Sequence, residues 1–268
     1  MRPDPGKTAG CYREETMEKI LCLETATTNC SVALFDGDEP IASLESNDGG
    51  YSHGEKLHVF IRQVLAQGGI SPRELSAVAV SRGPGSYTGL RIGVSAAKGL
   101  AYALEIPLLS VGTLAIMARI AREKTSADYL VPMLDARRME VYTAVYDRDL
   151  QEVSPVEALI VHPGAYASLS QTGKTACFFG DGMDKCRDLL GEENFSFLPG
   201  VFPSALAMGT EALSRLRERR WEDVAYFEPY YLKDFVGGHP AEKYNRKNEL
   251  YKNSKRIVQV EKNPILKV

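Results

Sequence analysis

The glycine-rich segment 83–89, with the sequence GPGSYTG, has the residue types for an anion site. It follows a predicted buried strand and precedes a predicted helix, so its backbone N–H groups could face a phosphate at the positive end of that helix. Its spacing matches neither the P-loop pattern nor the dinucleotide-binding pattern G-x-G-x-x-G. Two interpretations therefore stay open: a phosphate site that includes Gly83 and Gly85, and a tight strand-to-helix turn without a ligand.

Two acidic residues, Glu24 and Asp135, each end a predicted strand just before a hairpin turn. Carboxylates in such positions can hold a hydrated cation or orient a nucleotide. Acidic residues at strand ends also simply favour turns, which is the alternative explanation. Their matched placement in the two halves of the chain favours a vestigial nucleotide or phosphate site. The predicted residues of this site are Glu24, Thr25, Gly83, Gly85 and Asp135.

The histidines offer little for metal binding or nucleophilic catalysis. His53 and His58 are five residues apart on a predicted helix, which leaves their side chains roughly 140° apart, whereas a helical metal pair needs i, i+4 spacing. No G-x-S-x-G motif occurs, and His162 and His239 belong to no recognisable catalytic motif. The residues therefore predict neither a metal site nor a catalytic site in this chain.

Small residues recur at every fourth position of the helix predicted over 89–104, so they share one face and permit close approach of a second helix. The helix predicted over 52–67 adds a large apolar surface. Exposed apolar surfaces of this kind mark interfaces, although packing inside the chain is the alternative. The residues predicted to form a subunit interface are Leu57, Phe60, Ile61, Val64, Gly89, Gly93, Ala97 and Ala101.

Composition places the chain among soluble globular proteins. Its 268 residues are 44% hydrophobic and carry a formal net charge of -3, and no apolar run is long enough for a membrane span. Residues 238–268 hold eight Lys or Arg against three Glu, so the rest is acidic, which argues against a basic nucleic-acid binder. Five cysteines without C-x-x-C spacing predict reduced thiols and a cytoplasmic location.

The elements that position these residues form two related halves. A strand meander followed by alternating helices and strands occurs once before and once after about residue 120, which predicts an α/β fold of two lobes, each a mixed sheet flanked by helices. The predicted domains are a disordered extension at 1–16, an N-terminal lobe with the dimerisation helices at 17–118, a C-terminal lobe at 119–236 and a basic, flexible tail at 237–268.

Several segments together resemble the bacterial TsaB (YeaZ) family over about residues 17–235. The run around Gly83 to Gly93 is the most specific of them. The matching segments are 20–27 (ILCLETAT), 81–93 (SRGPGSYTGLRIG), 97–101 (AKGLA), 134–142 (LDARRMEVY) and 229–233 (PYYLK).

The resemblance implies the fold class of actin, sugar kinases and heat-shock-chaperone ATPases (ASKHA). It also implies a role in making threonylcarbamoyladenosine in tRNA, in which the paralogue TsaD carries the active site. The TsaB subunit dimerises with TsaD through the first two helices of its N-terminal lobe, or with itself when alone, and the ATPase TsaE docks on the pair. The resemblance thus implies that ATP and a divalent metal bind to partner subunits, that this subunit has no cofactor of its own, and that tRNA is contacted as part of the complex.

Two departures from the related motifs bear on activity. Where TsaD has V-N-H-x-x-x-H, this chain has Thr113 and Met117, which are not credible ligands for a catalytic divalent cation. Glu24 stands where the family more often has Asp. The resemblance therefore predicts a non-catalytic subunit, with a glycoprotease-like metal-dependent hydrolase and a stand-alone ATP-binding phosphotransferase as alternatives. It further predicts that Gly93→Leu abolishes association and leaves the monomer folded.

Overall fold

A computed structural model describes residues 18–50, 52–191 and 193–233 and contains two five-stranded mixed sheets. The predictions for residues 1–16 and 237–268 lie outside the described residues. The first sheet has the order β3-β2-β1-β4-β5. Its strands are β1 (Lys19–Glu24), β2 (Cys30–Asp36), β3 (Glu39–Ser46), β4 (Ala77–Gly83) and β5 (Leu108–Gly112).

The central strand β1 is apolar on both faces because both faces of the sheet are covered. It pairs antiparallel with β2 and parallel with β4. Side chains alternate across a strand. Leu21 and Leu23 therefore join the cluster on one face, whereas Ile20 and Cys22 join the cluster on the other. This explains why β1 is a continuous apolar run rather than an alternating one.

The second sheet repeats the topology of the first. Its order is β10-β9-β6-β7-β8, with antiparallel pairing of β6, β7 and β8 and parallel pairing of β6 with β9. The predicted recurrence of the strand meander is confirmed. Its strands are β6 (Tyr129–Asp135), β7 (Glu140–Asp147), β8 (Glu152–Ile160), β9 (Ala176–Phe179) and β10 (Phe195–Leu198).

Helices cover both faces of the first sheet. α1 and α2 pack on one face and α5 on the other, while α3 contacts clusters that belong to both sheets. The predicted lobe boundary between residues 118 and 119 falls within α3. No helix among the described residues is long and apolar enough to cross a bilayer. The helices are α1 (His53–Gln67), α2 (Tyr87–Leu104), α3 (Thr113–Arg122), α4 (Ala167–Ser170) and α5 (Gly209–Arg217).

Two local predictions differ from the structure. Ser52 and Glu55 have the S-x-x-E spacing that predicts a capping box, but Ser52, at the N-cap of α1, makes no side-chain capping bond, so this prediction is wrong. The amphipathic pattern predicts one helix over 204–219, but the structure divides this segment into a 3-10 turn, Ala205–Ala207, and α5. At the first residue of α5, Gly209 lies so close to the Phe35 ring that a Cβ would be 2.2 Å from ring carbon Cε1. Packing against the sheet thus determines where this helix starts.

Candidate subunit interface and vestigial nucleotide site

The glycine-rich loop connects β4 to α2 and packs tightly against other backbone. Ser86 is the N-cap of α2, where its side chain accepts a hydrogen bond from the Gly89 N–H, and its own N–H donates to the Ala26 carbonyl at 2.7 Å. A Cβ on Gly85 would lie 2.4 Å from that same carbonyl oxygen. Gly83 has a φ of +109°, and a Cβ there would lie 2.8 Å from the Tyr230 carbonyl. These contacts favour the tight-turn interpretation over a phosphate site.

Glu24 is fully buried between the β1–β2 turn and β4. Its Oε1 accepts hydrogen bonds from the Ala26 N–H at 2.6 Å and the Ser81 hydroxyl at 2.9 Å. Burial raises the pKa of this carboxyl to about 7, although the hydrogen bonds from Ala26 and Ser81 act in the opposite direction. The carboxyl therefore ties the turn to the sheet. Both donors to its Oε1 belong to the chain itself, and the side chain is not exposed to a solvent-filled cleft.

The predicted small-residue stripe of α2 packs on Thr25. A Cβ on Gly89 would lie 2.1 Å from the Thr25 carbonyl, and a Cβ on Gly93 would lie 2.2 Å from Thr25 Oγ1. The Thr25 hydroxyl also donates a hydrogen bond to the Gly89 carbonyl at 2.8 Å. Ala97 and Ala101 continue into the first-sheet core. The stripe thus serves close approach within the chain, which corrects the prediction that these four residues face a partner.

The apolar residues predicted for α1 also point mainly inward. Leu57 and Val64 are fully buried, Ile61 is 6% exposed, and all three belong to the first-sheet core. Phe60 is partly buried against the same core. The sheet and α2 cover more of this surface than the sequence suggested, because the buried face of α1 packs across the β2–β3 hairpin. Of these four side chains, Ile61 also lines the surface groove described below.

Asp135, the counterpart of Glu24 in the second sheet, is engaged by neighbouring groups. Its Oδ1 accepts hydrogen bonds from the Lys185 ammonium and from the Arg137 N–H. Beside it, Asp181 accepts a hydrogen bond from the Asp135 N–H at 2.9 Å, and burial raises the pKa of the Asp181 carboxyl. A basic side chain therefore occupies the position next to Asp135 that a cation would need. In the part of the chain that the structure describes, no hydrogen bond joins Asp135 to Glu24, which ends a strand of the other sheet.

The positions that correspond to the TsaD histidines lie on the buried side of α3. Thr113 and Met117 are fully buried, and Met117 packs in the second-sheet core near Gly180. Across the described ranges, no group of three or more His, Cys, Asp or Glu side chains is placed to hold a metal ion. His53 Nε2 lies 2.7 Å from the Thr27 carbonyl, whereas His58 lies at the surface groove, so the two do not share a site.

A surface groove of about 820 Å³ runs between α1 and α2. Its floor is apolar, and Ile92, Ala96 and Leu100 follow one another at i, i+4 spacing along α2. The groove is open at Gly99, where an added Cβ would meet no atom within 4 Å. From the sequence, this row is not identified as part of an interface. The prediction instead assigns the interface to the neighbouring stripe of small residues, which the structure places on the buried face of α2. The remaining lining residues are Gly54, His58, Ile61, Tyr87, Thr88, Arg91 and Ser95.

One end of the groove is held by residues 222–232, which we call the C-terminal strap. The Lys98 ammonium donates to the carbonyls of Ala225 and Phe227, and the Tyr230 N–H donates to the Arg82 carbonyl. The Tyr231 ring lies 4.9 Å from that of Tyr87, which lines the groove. The strap thus connects the glycine-rich loop to α2, a role that the sequence did not indicate.

Comparison with known proteins places the chain among tRNA-modification proteins. The family model described as TsaD, tRNA N6-adenosine threonylcarbamoyltransferase, matches residues 49–236. The tRNA threonylcarbamoyladenosine biosynthesis protein TsaB of Escherichia coli is 32% identical over 223 residues, which are 81% of this chain and 96% of that protein. The Bacillus subtilis protein of the same name is 37% identical over 132 residues, 47% of this chain and 54% of that protein.

Solved structures agree with this placement. A Pseudomonas aeruginosa protein described as similar to peptidase YeaZ superposes with a TM-score of 0.73 at 26% identity, covering 81% of this chain and all of that one. A second structure, YeaZ from the same organism, gives a TM-score of 0.69 with the same identity and coverage.

Two mixed sheets of one strand order, each flanked by helices, define the two-lobed class of actin, sugar kinases and heat-shock ATPases. This is the fold class that the family resemblance implies. Within that class, the matches to TsaB along almost the whole length of the Escherichia coli protein and to two YeaZ structures identify the family. The chain belongs to the TsaB (YeaZ) family.

Proposed function

We propose that this chain is a non-catalytic subunit that assembles with a TsaD-family transferase and supports formation of threonylcarbamoyladenosine in tRNA. The groove between α1 and α2 is the observation that carries the proposal. It is apolar along its floor and open at Gly99, and two helices of a partner with the same fold could pack their ridges into it. The names of the curated TsaB relatives and the match to the TsaD family model support the choice of partner.

The rim of the groove is suited to orient such a partner. The Arg91 guanidinium donates a hydrogen bond to the Tyr87 hydroxyl at 3.0 Å and stacks over its ring at 5.5 Å. The strap holds Tyr87 from the other side through Tyr231. An aromatic and an arginine fixed at the edge of an apolar groove are typical of residues that contribute most to binding. When no transferase is present, a second copy of the chain occupies the same groove in our proposal.

The contacts of the acidic residues support a subunit without chemistry of its own. Glu24 and Asp135 are each engaged by groups of the chain, and Thr113 and Met117 are buried in place of metal ligands. In our proposal, ATP and the divalent metal bind to the partner subunits, TsaE docks on the assembled pair, and tRNA is contacted by the cytoplasmic complex. No contact in the described residues favours the hydrolase or the phosphotransferase alternative.

The proposal is tested by filling the groove without disturbing the fold. Gly99→Leu places a large side chain in open space on α2. We expect its affinity for the TsaD-family protein of the same organism, measured by isothermal titration calorimetry, to fall at least about tenfold. Gly191→Leu is the matched control, because a Cβ on Gly191 also meets no atom within 4 Å and the residue lies away from the groove.

The two variants should have the same circular dichroism spectrum, and Gly99→Leu should melt slightly higher because leucine favours the α2 helix over glycine. Analytical ultracentrifugation of each variant alone checks the second part of the proposal, since Gly99→Leu should also weaken self-association. If Gly99→Leu binds the transferase as tightly as Gly191→Leu does, the groove is not the docking surface.

A further inference from the structure

A second, more enclosed pocket of about 340 Å³ lies on a different face of the protein and is not used by the proposed function. It is bounded by α3 and by the turn between β7 and β8. The remaining wall is formed by Ala207, which precedes α5, and by Glu211 and Arg215 on α5. The pocket differs from the α1/α2 groove in character, because most of its accessible lining is polar and its charged lining residues are mainly arginines. Those charged residues are Arg119, Arg122, Asp149, Glu211 and Arg215.

The wall formed by α3 is built from one row of side chains. Gly112, Ala115, Arg119 and Arg122 follow one another at three- and four-residue spacing, so they line the pocket from the first turn of the helix to the last. This row lies on the side of α3 away from Thr113 and Met117, which are buried in the core. The pocket is therefore separate from the positions that correspond to the TsaD metal ligands.

Arg119 is the least compensated charge in this pocket. Its side chain is half-buried, and burial lowers the pKa of the guanidinium, although the nearby charge of Glu211 acts in the opposite direction. Among the residues that the structure describes, no carbonyl or carboxylate accepts a hydrogen bond from it and no ion pair includes it. Taking a guanidinium out of water is unfavourable unless an anion or hydrogen-bond acceptors replace the solvent. An arginine held in this way is a binding group that the chain itself leaves unused.

The nearby carboxylates do not balance the arginines. Glu211 accepts a hydrogen bond from Arg215 at 2.8 Å and lies 3.9 Å from Arg220, so one carboxylate is shared by two guanidinium groups. Arg122 pairs with Glu123 at 3.3 Å, but that pair is largely exposed. Asp149 lines the pocket from the β7–β8 turn, and its carboxylate forms no ion pair among the described residues. The net charge of the side chains that line the pocket therefore remains positive around Arg119.

We propose that this pocket binds phosphate or a small phosphate monoester, with Arg119 as the principal ligand and Arg122 beside it. Arginine presents a planar fork of donors that matches the oxygens of a phosphate group, which makes it a suitable residue for such a ligand. The volume is at the small end of the range for ligand pockets and suits a compact anion. Because α3 and α5 form opposite parts of the pocket wall, a bound anion would also connect these two helices.

The test uses the full chain and inorganic phosphate as the probe. Isothermal titration calorimetry, with sodium chloride at matched ionic strength as the reference, should show saturable binding to the unmodified protein. Arg119→Gln should weaken that binding at least about tenfold, whereas Arg62→Gln, which removes an exposed arginine of α1, should leave it unchanged. A parallel titration with a nucleoside monophosphate distinguishes free phosphate from a phosphate ester as the preferred form.

Two further variants keep the test decisive. Arg119→Lys retains the charge but loses the fork of donors, so it should bind phosphate more weakly than the unmodified protein even if Arg119→Gln fails to fold. Asp149→Asn removes the competing carboxylate and should bind phosphate at least as tightly as the unmodified protein. Absence of saturable binding to the unmodified protein, or equal binding by Arg119→Lys, would overturn the proposal, and so would loss of phosphate binding in Asp149→Asn.

Discussion

The contact between Gly93 and Thr25 leads to a prediction opposite to the one drawn from the sequence. A Cβ added at Gly93 would lie 2.2 Å from Thr25 Oγ1, and the Thr25 hydroxyl already donates a hydrogen bond to the Gly89 carbonyl. Thr25 and Gly93 are both buried, so neither can move into solvent. Gly93→Ala must therefore rotate the Thr25 side chain away from its hydrogen bond or displace the β1–β2 turn or the first two turns of α2, and Gly93→Leu must do so more severely.

The magnitude follows from three contributions to the free energy of unfolding. Alanine in place of glycine in a helix interior stabilises by about 1 kcal/mol. Overpacking a buried contact costs about 1 to 3 kcal/mol. Losing the Thr25 to Gly89 hydrogen bond, with its carbonyl still buried, costs about 1 to 3 kcal/mol. The net effect of Gly93→Ala should be a loss of about 1 to 5 kcal/mol, and the midpoint of about 3 kcal/mol corresponds to a melting temperature lower by roughly 6 to 12 °C.

The assay is urea unfolding followed by circular dichroism, with Gly99→Ala as the matched control on the same helix. A Cβ at Gly99 meets no atom within 4 Å, so this variant should be more stable than the unmodified protein by about 0.5 to 1 kcal/mol. Equal stability of Gly93→Ala and Gly99→Ala would refute the reasoning. In that case the stripe would be free to face a partner, as the sequence predicted.

Two further predictions concern the buried carboxyl and the strap. Since the pKa of Glu24 is raised to about 7 in the folded protein from an ordinary value of 4.5, its contribution to stability is largest at low pH and declines by about 3 kcal/mol as the pH rises from about 4.5 to about 7. Glu24→Gln keeps a hydrogen-bonding oxygen and should flatten this part of the pH profile in urea unfolding at pH 5 and pH 8; an unchanged profile would contradict the assignment. Lys98→Met removes both hydrogen bonds to the strap carbonyls and should lower stability by about 1 to 2 kcal/mol. It should also speed limited proteolysis within 222–232, and an unchanged cleavage rate would show that Lys98 does not hold the strap.

Much of the fold could be predicted because local patterns and tertiary packing agree. The short apolar runs at 176–179 and 195–198 predict strands, and these are β9 and β10 with the same boundaries. The recurrence of the strand meander likewise predicts two sheets of the same topology. Turn residues and apolar runs determine such elements over short distances. The helix predicted over 204–219 was less accurate, because contact between Gly209 and Phe35, far apart in the chain, decides where α5 begins.

The candidate sites show where local patterns stop being informative. Periodicity located α1 and α2 and grouped the residues of each helix into faces, yet it could not say which face the sheet would cover. Thr25 settles that question, since it lies 68 positions before Gly93 and meets it only when β1 is in place. Likewise, the pairing of Asp135 with Lys185 and the isolation of Arg119 depend on which distant charges the fold brings near.

By itself, the sequence determined the element types, the duplicated two-sheet architecture and, through its motifs, the resemblance to TsaB. Only the tertiary structure decided that the small-residue face of α2 is internal, that the row of Ile92, Ala96 and Leu100 lines the surface groove, and that the strap and the arginine pocket exist. The physical reason is that secondary structure and turns arise from interactions over a few residues. Exposure, charge balance and groove shape arise from packing between segments that the chain order keeps far apart.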